Sequence, residues 1–172
     1  NSLRKCYDRN NALAHYARMS RKLDLFFKRE LDKMWHRSYK DATVVVYSGG
    51  DDLFIMGEWS RVLGFAHEIN KQCKAFFAEE EISISGGLSL VKEKFPIVRA
   101  AEYSAEQESK AKCFEYIDSK GTCYQKNALS IFDMPLRWDV EWSIVNKIYD
   151  KLSQLVTKQE LVYRPIIRRI LK

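Results

Sequence analysis

The chain's hydrophobic pattern predicts an α+β fold, an antiparallel sheet covered by helices on one side. Three observations carry that prediction. Apolar residues recur at helical spacing from Leu13 to Trp35 and again after Trp59. Two short runs rich in β-formers flank Gly49-Gly50. The run Ile82–Leu90 alternates strictly, isoleucine and leucine on one face and serine on the other.

In the first helix Tyr16, Met19, Leu23, Phe26, Phe27, Leu31 and Met34 form the apolar stripe, and Arg18, Arg21, Lys22 and Arg29 lie mostly elsewhere. Residues 1–11 are polar and basic, without a period. Val44–Tyr47 and Leu53–Met56 then read as a hairpin, because paired glycines supply the positive φ of a tight turn without a Cβ clash. Trp59-Ser60 opens the next helix, with Ser60 as N-cap and Val62, Ala66, Ile69, Cys73 and Phe76 turned inward. Glu79-Glu80-Glu81 is a solvated charge run.

Gly86-Gly87 inside the alternating strand marks a bulge or a close backbone approach. Pro96 suits the first turn of a third helix. Its small-residue face, Ile97, Ala100, Ala101, Ser104, Glu108 and Ala111, would let it lie close to a sheet. Gly121 marks a turn and Ala128–Phe132 a last short strand. After Pro135, Asp139 caps a helix to about Val156, and Leu161–Leu171 is a final amphipathic piece.

At 172 residues and 46% hydrophobic, the chain can bury one good core. Its net charge of +6 favours polyanionic company, although solubility alone would explain it. No apolar run reaches the roughly 18 residues of a membrane span. Cys6, Cys73, Cys113 and Cys123 include no C-x-x-C pair and no histidine at zinc spacing, as in a reduced, cytoplasmic protein without structural zinc.

The candidate site is Ser48-Gly49-Gly50-Asp51-Asp52. Two carboxylates stand where the second strand leaves a bare turn, held between apolar strands. Such oxygens suit Mg²⁺ or Mn²⁺, hard cations that keep several waters and take further ligands from substrate phosphates. Alternation along a strand directs Asp51 and Asp52 to different sides. A solvated acidic turn is the plainer alternative. No G-x-x-x-x-G-K-[ST] occurs, which disfavours a P-loop NTPase.

Those five residues resemble the GGDD motif of polymerase and nucleotide-cyclase palm domains. With Ile84-Ser85-Gly86-Gly87-Leu88, Phe95-Pro96, the Ala105-Glu106 to Ala111-Lys112 helix, Lys126-Asn127-Ala128 and Leu136-Arg137-Trp138, the set resembles the large signature subunit of type III-A CRISPR effector complexes. The likeness runs from about residue 15 to about residue 145. It implies a ferredoxin-like palm over residues 1–135, followed by the start of a C-terminal helical domain over 136–172.

The resemblance further implies a metal-dependent nucleotidyltransferase that converts ATP to cyclic oligoadenylate when target RNA binds a guide RNA-containing complex of several protein subunits. Asp51 and Asp52 would be the catalytic metal ligands, for Mg²⁺ or Mn²⁺. Gly49 and Gly50 would leave room for ATP, Ser48 would lie beside it, and Lys112 would match a lysine that reaches nucleotide phosphates. Lys112 reads equally well as a solvated lysine on a basic helix.

Three departures accompany the likeness. The family's palm opens with an acidic strand, and none precedes the first helix here, so that strand is expected upstream of Asn1. The family's HD nuclease domain and its other palm are likewise not in this sequence. Residues after Thr157 fit the helical domain poorly as one unbroken run. The rival readings are a diguanylate-cyclase-like enzyme, whose motif would carry glutamate and phenylalanine where Asp52 and Leu53 stand, and a non-catalytic scaffold in an RNA complex.

Overall fold

The computed structural model describes residues 2–50, 52–80, 82–117 and 121–158. They are α+β, with helices and small sheets. They divide into two compact units, one from residues 1–84 and 90–102 and the other from 85–89 and 103–172.

In the first unit a long helical stretch opens the chain. It comprises α1 (Ser2–Leu25), a π-helical turn (Phe26–Glu30) and α2 (Leu31–Ser38). Helix extends back to Ser2, over residues that the sequence leaves without a period. The hairpin follows as β1 (Thr43–Gly49) and β2 (Asp52–Gly57), then α3 (Trp59–Phe76).

The core of this unit joins Phe26, Phe27, Leu31 and Met34 to Phe65, Ile69, Cys73 and Phe77, with Met19, Leu23, Val45, Leu53 and Ile55 packed around it. Phe26 meets Phe27 edge-on at 5.3 Å and Phe77 at 5.6 Å, geometries that suit the ring quadrupole. Tyr39 stacks on Phe65 at 4.5 Å, and the Arg61 guanidinium lies 5.2 Å from the centre of the Tyr39 ring. Burial pushes the Cys73 thiol up to about 11, which fits a small structural hydrophobe rather than a nucleophile.

Three details differ from the sequence-based expectation. Tyr16 is exposed, one turn beyond where the helix meets its core. Glu58, not Ser60, caps α3, its carboxylate accepting from the Ser60 amide and, at 2.6 Å, from the Ser60 hydroxyl. Phe77 rather than Phe76 enters the core, because the chain leaves helical geometry at Phe77 and swings that ring inward.

The second unit contains β3 (Gly86–Leu88), residues from Tyr103 onward of α4 (Ile97–Lys112), β4 (Glu115–Ile117), β5 (Cys123–Gln125), β6 (Ala128–Ile131), β7 (Met134–Arg137) and α5 (Glu141–Lys158). The expected single antiparallel sheet is not found among the described residues. Instead β1 pairs with β2, β4 with β5, and β3-β6-β7 form a third sheet in which β3 and β6 run parallel. Of the Ile82–Leu90 run only Gly86–Leu88 is strand, since pairing partners exist for that stretch alone.

The close approach anticipated at Gly86-Gly87 is present. A Cβ on Gly87 would stand 2.1 Å from the carbonyl oxygen of Ser104 and from the amide nitrogen of Glu108, so the α4 backbone rests directly on this strand. Ser89 and Ser104 share a 2.8 Å hydroxyl bond beside it.

β7 lies on the sheet edge, where Pro135 removes no needed donor. Arg137 is held by Glu141 through Nε at 2.8 and 2.9 Å and rests over Tyr116 at 4.6 Å. Hydrogen bonds from that guanidinium bring the Glu141 carboxyl down to about 2. The expected helix after Asp139 is α5, and the Leu161–Leu171 piece lies outside the described residues.

Candidate functional site

The hairpin determines where the site residues point. Its register pairs Val45 with Ile55, Tyr47 with Phe54, Ser48 with Leu53 and Gly49 with Asp52, leaving Val46 as an extra residue. Such a bulge exchanges the two faces of the strand beyond it. Val45, Ile55 and Leu53 pack on the core. Ser48, opposite Leu53, therefore faces inward with them, while Tyr47, Gly49 and Asp52 share the outer face.

Because Gly49 pairs with Asp52, the connection begins one residue later than expected, at Gly50. Gly50 has φ of 63°, the left-handed conformation that only glycine adopts without strain, and nothing stands within 4 Å of a Cβ built on it. The clearance expected over both glycines is thus found at Gly50. Over Gly49 the space is taken by the phenol of Tyr47, since an added Cβ would lie 2.9 Å from its Oη.

Asp52 is exposed at the start of β2, and no hydrogen bond or ion pair engages its carboxylate among the described residues. Asp51 lies outside the described residues. No group of three acidic, histidine or cysteine side chains gathers among the described residues. The Asp52 carboxylate offers hard oxygen ligands, of the kind that Mg²⁺ or Mn²⁺ combines with water and phosphate.

The Ser48 hydroxyl donates to the Phe27 carbonyl in the π-helical turn at 3.2 Å. Lys112 is exposed in the last turn of α4, in the second unit, with its ammonium 2.7 Å from Glu108 Oε1. Tyr47 is the residue that sequence reasoning passed over. Simple alternation from Val45 places it inside, and only the bulge brings it out beside Gly49 and Asp52.

Residues 1–121 match the family described as Cas10/Cmr2, second palm domain. Among proteins of known function, three similar ones are each described as a CRISPR system single-strand-specific deoxyribonuclease Cas10/Csm1 of subtype III-A. The protein from Methanocaldococcus jannaschii is 33% identical over 118 residues, 67% of this chain and 15% of its own length. That from Streptococcus thermophilus is 29% identical over 145 residues, 84% of this chain and 17% of its own. That from Enterococcus italicus is 35% identical over 102 residues, 59% of this chain and 13% of its own. The chain thus spans less than a fifth of the length of these relatives. With the family match covering most of the sequence, and the glycine corner, exposed aspartate and α+β frame in place, the chain belongs to the Cas10/Cmr2 second palm domain family.

Proposed function

We propose that this segment is the nucleotidyl-transfer palm of a type III-A CRISPR effector subunit, converting ATP to cyclic oligoadenylate when target RNA is bound. The observation that carries the reading is an exposed, uncommitted Asp52 beside the open, positive-φ Gly50. Family membership supports a cyclase-like or polymerase-like site at that corner. Hairpin, helix and strand would belong to a ferredoxin-like palm, and α5 would begin the C-terminal helical domain. The relatives' names belong to CRISPR systems, which supports a partnership with other subunits; guide RNA, target RNA and a cytoplasmic location are part of this proposal. No helix of the described residues is long and apolar enough to cross a membrane. The deoxyribonuclease activity in those names is that of much longer proteins and is not assigned to these residues.

In the proposed reaction the 3′-oxygen of one ATP bonds to the α-phosphorus of another. The bond to the β-phosphate breaks, pyrophosphate leaves, and the hydroxyl proton passes to solvent. Divalent ions, when bound, offset phosphate charge and acidify the hydroxyl. The chain's own part is to present the Asp52 carboxylate at the start of β2 and to leave Gly50 clear for the triphosphate. Positioning dominates such transfers, because the protein does little covalent work.

The test is to give the assembled complex, with target RNA, either ATP or GTP and to identify the products by mass spectrometry. Cyclic oligoadenylate from ATP and no cyclic product from GTP is the expected result. Cyclic dinucleotide from GTP would favour the diguanylate-cyclase reading. No product from either would favour a scaffold.

A further inference from the structure

Two one-residue irregularities meet at the corner. In the helical stretch, the Leu31 amide reaches back to the Phe26 carbonyl, five residues away, as a π turn requires. A π turn shifts the hydrogen-bond ladder by one residue, which frees a carbonyl for an outside donor. In the hairpin, the extra residue Val46 exchanges the faces of everything from Tyr47 to the turn. Without the bulge the Ser48 side chain would point to the outer face; with it, the hydroxyl faces the helices. There it donates to the carbonyl of Phe27, which follows Phe26 in the π turn.

From this we infer that Ser48 is a positioning residue rather than a nucleotide ligand. Its hydroxyl ties the strand immediately before Gly49-Gly50 to a buried helical turn, and thereby fixes the direction in which Asp52 leaves the corner. The anchor is rigid, since Phe26 and Phe27 are both buried in the core. Apart from this tie the segment is held by its ladder to β2, and nothing stands within 4 Å of a Cβ built on Gly50 at the turn. The hydroxyl adds the tie between this ladder and the helical turn, next to the point where Asp52 leaves the corner. The inference rests on the proposed nucleotidyl-transfer role of the corner.

Ser48→Ala and Ser48→Thr test it in the complete subunit within its assembled complex. Two readouts are needed, amide hydrogen exchange over the hairpin and steady-state oligoadenylate synthesis. In Ser48→Ala, exchange at Gly49, Gly50 and Asp52 should quicken about tenfold, since local opening becomes easier. In the same variant kcat should fall about tenfold and the half-saturating Mn²⁺ concentration rise severalfold, with the KM for ATP within about twofold, the pattern of a misplaced ligand. Ser48→Thr, which keeps the hydroxyl, should restore both.

A raised KM for ATP with unchanged kcat would make Ser48 a direct nucleotide ligand and overturn the inference. Unaltered exchange in Ser48→Ala would overturn it as well, and so would faster exchange with unaltered kinetics. If the wild-type complex made no oligoadenylate, the proposed function would fall, and the exchange comparison would still decide whether the tether exists.

Discussion

Replacing Asp51 and Asp52 together with alanine should abolish oligoadenylate synthesis, a loss of about a thousandfold or more, because the charge stabilisation at the phosphates disappears as a unit. Complex assembly should survive. Asp52 is exposed and engages no described partner, and surface substitutions of that kind usually move stability by less than about 0.5 kcal/mol. Pull-down of the intact complex together with product quantitation separates the two effects. Undiminished synthesis by the double variant would refute the site.

Gly87→Ala should have the largest effect on stability. The new methyl would meet Ser104 O and Glu108 N at 2.1 Å, and both are helix backbone atoms that cannot rotate aside. The helix must move as a body, at a cost of roughly 3 kcal/mol or more, the upper end of overpacking penalties. Gly86→Ala provides the contrast. Its nearest neighbour is Leu129 Cδ1 at 3.1 Å, the end of a flexible side chain, so about 1 kcal/mol or less is expected. Urea unfolding of the two variants in parallel should show the midpoint of Gly87→Ala far below that of Gly86→Ala. Equal midpoints would mean that α4 is not seated on β3 as described.

Gly87 and Gly50 illustrate how much the sequence disclosed. Gly87 announced itself because a glycine pair within an alternating strand has few other uses, and Gly50 because a tight turn needs positive φ. Helical periods placed the cores of α2, α3 and α4 within a residue or two. The α3 error, Phe76 for Phe77, arose where the helix ends and its period no longer applies. The missed turn between β6 and β7 is made by Phe132 and Asp133, with φ of 52° and 64°, and no glycine advertised it.

The bulge at Val46 and the π turn at Phe26–Glu30 were invisible for a deeper reason. Each is one extra residue whose register is set by the partner element, so neither leaves a compositional trace. Yet they decide that Ser48 points inward and Tyr47 outward, and hence which side chains surround Asp52. The residue types of the corner and its tight turn could be read from the sequence. The corner's orientation could not, because it depends on a strand and a helix meeting.

The most direct measurement of the central claim is Mn²⁺ titration of the assembled complex, followed by electron paramagnetic resonance, with and without ATP. The wild-type complex should bind Mn²⁺ more tightly when ATP is present, and that gain should vanish in the Asp51→Ala, Asp52→Ala double variant. Equal Mn²⁺ affinity in the two complexes at saturating ATP would contradict the assignment of this glycine corner as the place where metal and triphosphate are held.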